Sequence, residues 1–271
     1  MTAADLLQFG FFLLVVTLLV RPVGGYLARV FDGGRTFLDP VLRPVERGIY
    51  AVAGVDPDEG MDWRRYAGAF VRFTALGTVV LYLLLRLQEY LPWYYPDSQT
   101  TPLTTDLSLN TAVSFATTTT WQAYAGETTM SYFSQMVGLT AQNFLAGGAG
   151  LAVGIAFVRG FARQGGSDLG NFWVDLVRSL LWVLLPLSLL VGLALAWQGV
   201  PMNLDPYTPV RTLAGAEQLI PQGPVAALES IKNLGTNGGG FFNANGGHPF
   251  ENPTPSATCS RCWRSRSCRP R

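Results

Sequence analysis

The sequence predicts an all-α polytopic membrane protein, and three observations carry that prediction. Of the 271 residues 49% are hydrophobic and only 14% are charged, too few charges to coat a water-soluble surface. Apolar runs long enough to cross a bilayer recur along the chain. Between them lie two shorter apolar stretches, each followed by a run of small residues where the rest of a span would be expected.

The first run is residues 6–20, lengthened a little by Ala3 and Ala4. A signal peptide is the weaker reading, because the run starts after Asp5, has no basic flank and ends at Arg21. Residues 1–20 are therefore taken as an N-terminal transmembrane helix. The connector 21–66 holds seven arginines (21, 29, 35, 43, 47, 64 and 65), which places it in the cytoplasm and the N-terminus outside. Residues 67–87 form a second span with Arg72 and Arg86 near enough to its ends to snorkel. No basic residue occurs from Gln88 to Met130, as an external segment requires, and Trp93, Tyr94 and Tyr95 between Pro92 and Pro96 suit a membrane interface.

Inside that segment, residues 107–116 are apolar but too short to cross, which predicts a re-entrant half-helix. The third span, 130–158, carries Ala141, Ala146, Gly147, Gly148, Ala149 and Gly150, small residues that allow close approach. Gln142 and Asn143 within it are buried polar candidates, as interhelical glue or as functional groups. Arg159 and Arg163 mark an inside loop. Residues 172–197 form the fourth span, with a kink at Pro186, and an external linker leads to a second half-helix at 224–234.

The run from Ile231 to Pro253 reads IKNLGTNGGGFFNANGGHPFENP. Each glycine costs about 1 kcal/mol against alanine in a helix interior, so Gly235, Gly238, Gly239 and Gly240 end the helix. An extended run of small residues after a short helix can present successive carbonyl oxygens to a dehydrated cation, and glycine permits the positive φ this needs. A nucleotide-binding loop fails for want of a following Gly-Lys-Ser/Thr. A plain flexible loop is the bland alternative. Thr117 to Thr120 repeat the design with threonines, where β-branched packing is the alternative. Asp106, Glu127, Glu229 and Glu251 flank the two runs, either as a negative vestibule or as ordinary solvated carboxylates. Lys232 suits the carbonyl end of its helix, with tuning of ion occupancy as the lesser reading.

Span, half-helix, small-residue run and span thus occur once in full (67–158) and once in part (172–253), an internal repeat of membrane–pore–membrane units. Four filter segments usually surround a potassium ion, so further repeats are needed. No nucleophile–base pair or paired acid–base carboxylates occur, so covalent catalysis is not expected of this chain.

The end of the chain differs. Cys259, Cys262 and Cys268 and five arginines fall in residues 256–271. Zinc is disfavoured because His248 is poorly spaced as a further ligand. The abrupt composition reads as an out-of-frame or truncated end and is set aside from fold reasoning. Without the tail arginines the acids outnumber the bases, which excludes a nucleic-acid surface.

The segments TAVSFATTTTWQAYAGETTMSYFSQMVGLTAQNFL, NFWVDLVRSLLWVLLPLSLL and IKNLGTNGGGFFNANGGHPFENP, with MDWRRY before the second span, resemble the potassium-binding A subunits of bacterial Kdp potassium-transporting P-type ATPases. The resemblance covers about residues 6–255. It implies membrane–pore–membrane repeats of the potassium transporter superfamily, here one complete and one incomplete repeat after an extra N-terminal span. It further implies that the chain binds extracytoplasmic potassium and delivers it to the component of the complex that hydrolyses ATP. The implied partners are the Kdp B, C and F subunits, of which B is the ATPase, and the implied location is the bacterial inner membrane, as a multi-pass protein. The chain itself is then not the enzyme, carries no covalent cofactor and has K+ as its transported ligand. By the same resemblance Thr117, Thr118, Thr119 and Thr120 form the first filter segment with Gln122 near its mouth, and Gly235, Thr236, Asn237, Gly238, Gly239 and Gly240 form the second, binding K+ through backbone carbonyls. Members usually carry asparagine where Thr118 and Thr120 stand. With half the family's length the chain is expected not to transport alone. The alternatives are a stand-alone carrier of the Trk/Ktr type and a non-transporting membrane fragment.

Overall fold

The computed structural model describes residues 3–162 and 168–254; the zinc question at Cys259 and Cys262 falls outside them. Among the described residues four helices are long and apolar enough to cross a membrane. They are α1 (Ala3–Phe31), α3 (Trp63–Arg86), α5 (Ser134–Ala162) and α6 (Phe172–Trp197). Between them lie α2 (Asp39–Ala53), α4 (Thr105–Ala116) and α7 (Val225–Leu234). One hairpin breaks the all-helical pattern: β1 (Thr208–Arg211) pairs antiparallel with β2 (Glu217–Ile220) in the linker before α7. Its turn is closed by Gly215 at φ 81°.

Helix starts follow local chemistry. Asp62 caps α3 by accepting from the Arg65 N–H at 2.8 Å, Thr104 caps α4 through Leu107 N–H at 3.3 Å, and Asn171 caps α6 through Trp173 N–H at 3.0 Å; each takes up a donor the helix itself leaves unpaired. α7 has no side-chain cap. Instead Ala226 donates its N–H to the Pro201 carbonyl at 3.0 Å.

The hydropathy pattern ends the first run at Val20, but the helix continues through Pro22 to Phe31. Proline removes one backbone donor without ending a helix whose other bonds persist, and the stop comes at Gly33, φ 74°. The connector expected to be a polar loop therefore contains the end of α1 and the whole of α2. Pro186 is preceded by a π-helical turn, Ser179–Leu184, where the kink was expected. A second π turn, Ser134–Thr140, opens α5, and in it the Thr140 hydroxyl donates to the Gln135 carbonyl at 2.7 Å.

The connectors gather at two ends. At one, Met61 exchanges backbone hydrogen bonds with Leu169 and Gly170 at 3.0 and 2.8 Å. Two ion pairs between half-buried arginines and buried carboxylates lie there: Arg159 with Asp175 at 2.6 Å and Arg178 with Glu46 at 3.0 Å. Both arginines also donate to the carbonyl of Phe31, at 3.2 and 3.1 Å, where the unpaired carbonyls and negative dipole of α1 end. At the other end Gln88 donates to the Thr129 carbonyl at 2.9 Å and Tyr132 to the Asp205 carbonyl at 2.8 Å.

From that second end α4 and α7 enter the bundle and stop inside it. α4 packs on α3 and α5 through Leu81, Leu85, Ala112, Phe115 and Leu139; α7 packs on α6 through Leu195, Val225, Ala226 and Leu228. Gly235, just past α7, lies against Gly147 of α5: a Cβ on Gly147 would come within 2.9 Å of the Gly235 Cα. Gly147 is roughly 20 Å along α5 from Ser134, so α7 ends near the middle of that span. Gly147→Ala is expected to cost about 1–3 kcal/mol through overpacking against backbone. Gly150→Ala, with nothing within 4 Å of the added carbon, gains stability instead; thermal unfolding in detergent separates the two.

Candidate functional site

The residues after α4 and α7 come together. The Thr120 hydroxyl donates to the Asn237 carbonyl at 2.7 Å. The Gln122 carboxamide clamps Gly240 twice, its Nε2 donating to the Gly240 carbonyl at 2.8 Å and its Oε1 accepting the Gly240 N–H at 2.9 Å. Segments 117–122 and 235–240 therefore lie side by side, and all eleven site residues picked from the sequence belong to this pair. Gln122 acts as the cross-link between the segments, a part the sequence did not suggest.

Thr118 and Thr120 have φ 62° and 50°, and Thr236, Gly238 and Gly239 have φ 61°, 93° and 78°, so both segments turn through left-handed residues. Glycine makes this easy, but a β-branched residue there is an outlier that must be held by its surroundings. Asparagine tolerates this region better than threonine does. Thr118 is exposed and its hydroxyl bonds only the preceding carbonyl, at 2.6 Å. Thr118→Asn is therefore expected to raise stability by about 1 kcal/mol, whereas Thr120→Asn loses the bridge to Asn237 and gives no such gain. Thermal unfolding of the two variants checks this.

The polarity of the peptides is set by Ser114. Its carbonyl accepts the N–H groups of Thr119 and Thr120 at 3.0 and 3.1 Å, and its hydroxyl accepts that of Trp121 at 2.6 Å. In a trans peptide the N–H and C=O point opposite ways, so the carbonyls of Thr118, Thr119 and Thr120 turn away from the helix. On the second segment Asn237 donates its N–H to the Lys232 carbonyl at 3.2 Å, turning the Thr236 carbonyl outward in the same manner. Among the described residues, the carbonyls of Thr118, Thr236 and Gly238 accept no hydrogen bond, which leaves them available to a cation. Thr118, Thr236 and Gly238 are exposed, while Thr120, Asn237 and Gly240 are buried.

A supporting layer holds this backbone. Asn143, picked out in the sequence as a buried polar residue, receives Asn237 Nδ2 on its carbonyl at 2.8 Å and on its Oδ1 at 2.9 Å. Gln135 donates to the Phe241 carbonyl at 2.9 Å from the π turn of α5. Gln142, by contrast, lies against Gly77 of α3 and takes no part. Ser114 and Gln135 had no signal in the sequence, since each depends on a contact made only when the elements pack.

The four flanking carboxylates do not form one vestibule. Asp106 is exposed and Glu127 half-buried, accepting the Asn243 N–H at 2.7 Å. Glu229 and Glu251 are fully buried and both pair with Lys232, so the open-vestibule reading fails for them. Lys232 does not sit on the last carbonyls of α7 either; its ammonium reaches the Gly239 carbonyl at 2.5 Å. Glu251 accepts the Phe242 N–H at 2.8 Å. Burial, and after it the nearby Glu229, raises its carboxyl from 4.5 to about 8. A raised folded-state pKa stabilises the fold most below about 4.5, and that contribution is lost as pH climbs through about 8. Thermal stability is thus expected to fall across this window, with a flatter profile for Glu251→Gln in the same measurement.

His248 stacks on Phe242 with ring centroids 4.1 Å apart, and burial lowers its pKa. Among the described residues no cluster of histidine, cysteine and carboxylate suits a metal.

A family model described as the potassium-transporting ATPase A subunit matches residues 10–264. The chain belongs to that family. The matched stretch runs past Pro255, where the resemblance had been expected to stop. Relatives named potassium-transporting ATPase potassium-binding subunit include one from Methylorubrum extorquens, 53% identical over 94% of this chain and 44% of its own length. Another, from Solibacter usitatus, is 52% identical over 96% of this chain and 46% of its own length; a third, from Rhodospirillum centenum, is 52% identical over 94% and 44%. The chain thus spans somewhat less than half the length of these A-subunit relatives.

Proposed function

We propose that segments 117–122 and 235–240 are two walls of a potassium-selective path, and that the chain serves in a Kdp-type uptake ATPase. The observation that carries this reading is the backbone polarity: Ser114 takes three N–H groups of the first segment and the Lys232 carbonyl takes that of Asn237, and the carbonyls of Thr118, Thr236 and Gly238 are left open. Carbonyl dipoles replace the hydration shell of a potassium ion, and a low-charge-density cation suits neutral oxygens better than carboxylates. The relatives carry the name of the potassium-binding subunit, which supports the same cation here.

In this reading the arginine-bearing end faces the cytoplasm and the N-terminus lies outside. The two short helices dip in from the outer face of the bacterial inner membrane. Potassium enters there, loses water between the segments and passes to the ATP-hydrolysing component, with the Kdp C and F subunits completing the complex. Two further segments of the same kind complete the usual fourfold shell. The carbonyl polarity favours this over a passive membrane fragment, because the supporting hydrogen bonds fix the backbone conformation of both segments.

Rubidium-86 binding in detergent to the Kdp-type complex assembled with this chain and with the two further segments tests the reading. Potassium is expected to displace it at concentrations at least about tenfold below sodium; equal displacement by the two ions overturns it.

A further inference from the structure

The two segments differ in one respect that the repeat does not require. Ser114 of α4 and Lys232 of α7 hold equivalent places: each accepts a following N–H on its carbonyl, and each sends its side chain to the residue seven positions on. The Ser114 hydroxyl takes an N–H, that of Trp121. An ammonium is donor only, and Lys232 takes a carbonyl, that of Gly239.

The peptide joining Gly239 to Gly240 is consequently held at both ends. Its N–H goes to Gln122 Oε1 on the first segment at 2.9 Å, and its C=O goes to Lys232 Nζ at 2.5 Å. The ammonium is itself fixed by Glu229 and Glu251, both fully buried, with the Glu251 oxygen at 3.5 Å. Space is fixed too: a Cβ on Gly240 would lie 2.9 Å from Glu251 Oε1.

We propose that Lys232 is a positioning residue for ion selection, its ammonium turning the Gly239 carbonyl into the scaffold so that the second segment offers the oxygens of Thr236 and Gly238. This rests on the potassium-path reading above. The chain's single lysine then supplies a fixed hydrogen-bond donor behind one wall only, so that the two walls hold their peptides in opposite senses.

The test compares the unsubstituted protein with Lys232→Met, Lys232→Arg and the triple variant Lys232→Met/Glu229→Gln/Glu251→Gln, in which no buried charge is left unpaired. Amide hydrogen exchange over 236–242 is expected to rise about tenfold in the triple variant while 117–121 stays unchanged, and potassium is expected to lose about tenfold of its advantage over sodium in rubidium displacement. Lys232→Arg restores most of that advantage, since a guanidinium keeps the charge and the donors. Exchange and ion preference both within about twofold of the unsubstituted protein overturn the proposal, even where stability drops, because a merely structural role moves stability alone. Absence of any rubidium binding in the complex assembled with the unsubstituted protein and the two further segments would sink the potassium-path reading, and the exchange comparison by itself then decides whether Lys232 sets the second segment.

Discussion

Everything about this site depends on where the N–H groups of two short backbone segments go. An amide buried without a partner is costly, and the protein answers this by giving Thr119, Thr120 and Trp121 to a single serine. Once the donors are committed to the scaffold side, the planar trans peptide leaves the opposite direction for the carbonyls. The open carbonyls of the first segment thus follow from satisfying donors on the helix side, while the Thr120 hydroxyl and the Gln122 carboxamide tie that segment to the second. Left-handed residues occur in the threonine run and in the glycine run alike, held by contacts from behind each segment and by contacts across the pair.

The same logic governs how the short helices are placed. α4 and α7 end within the bundle because spans with small residues make room, as at Gly147 against Gly235. They are held there by apolar packing on α3 and α6 and by polar contacts from α5, where Asn143 and Gln135 bind the second segment. α5 thereby braces the second segment. The π turn at its start matters for this, since it sets the place from which Gln135 reaches the Phe241 carbonyl.

Much of the fold was legible in the sequence because bilayer length and hydropathy are coarse signals. The apolar runs stand out from a chain with few charges, and a glycine cluster after a short apolar stretch marks a helix end. What escaped reading depends on packing. Pro22 does not stop α1 because the backbone stop lies at Gly33. Glu229 and Glu251 look like surface carboxylates until the fold wraps Lys232 between them. Ser114 is one ordinary serine in an apolar helix, and only the turn of the chain after Ala116 gives it three amides to hold. Asn143 was visible as an anomaly, a polar residue in a span, although its partner was not.

The solitary lysine has a practical consequence. With its side chain 5% exposed and engaged by two carboxylates and a carbonyl, it is the one place where a lysine-directed protease can cut this polypeptide, and the folded chain shields it. Cleavage at that bond therefore reports opening of the oxygen-lined region, with the remainder of the molecule silent to the enzyme.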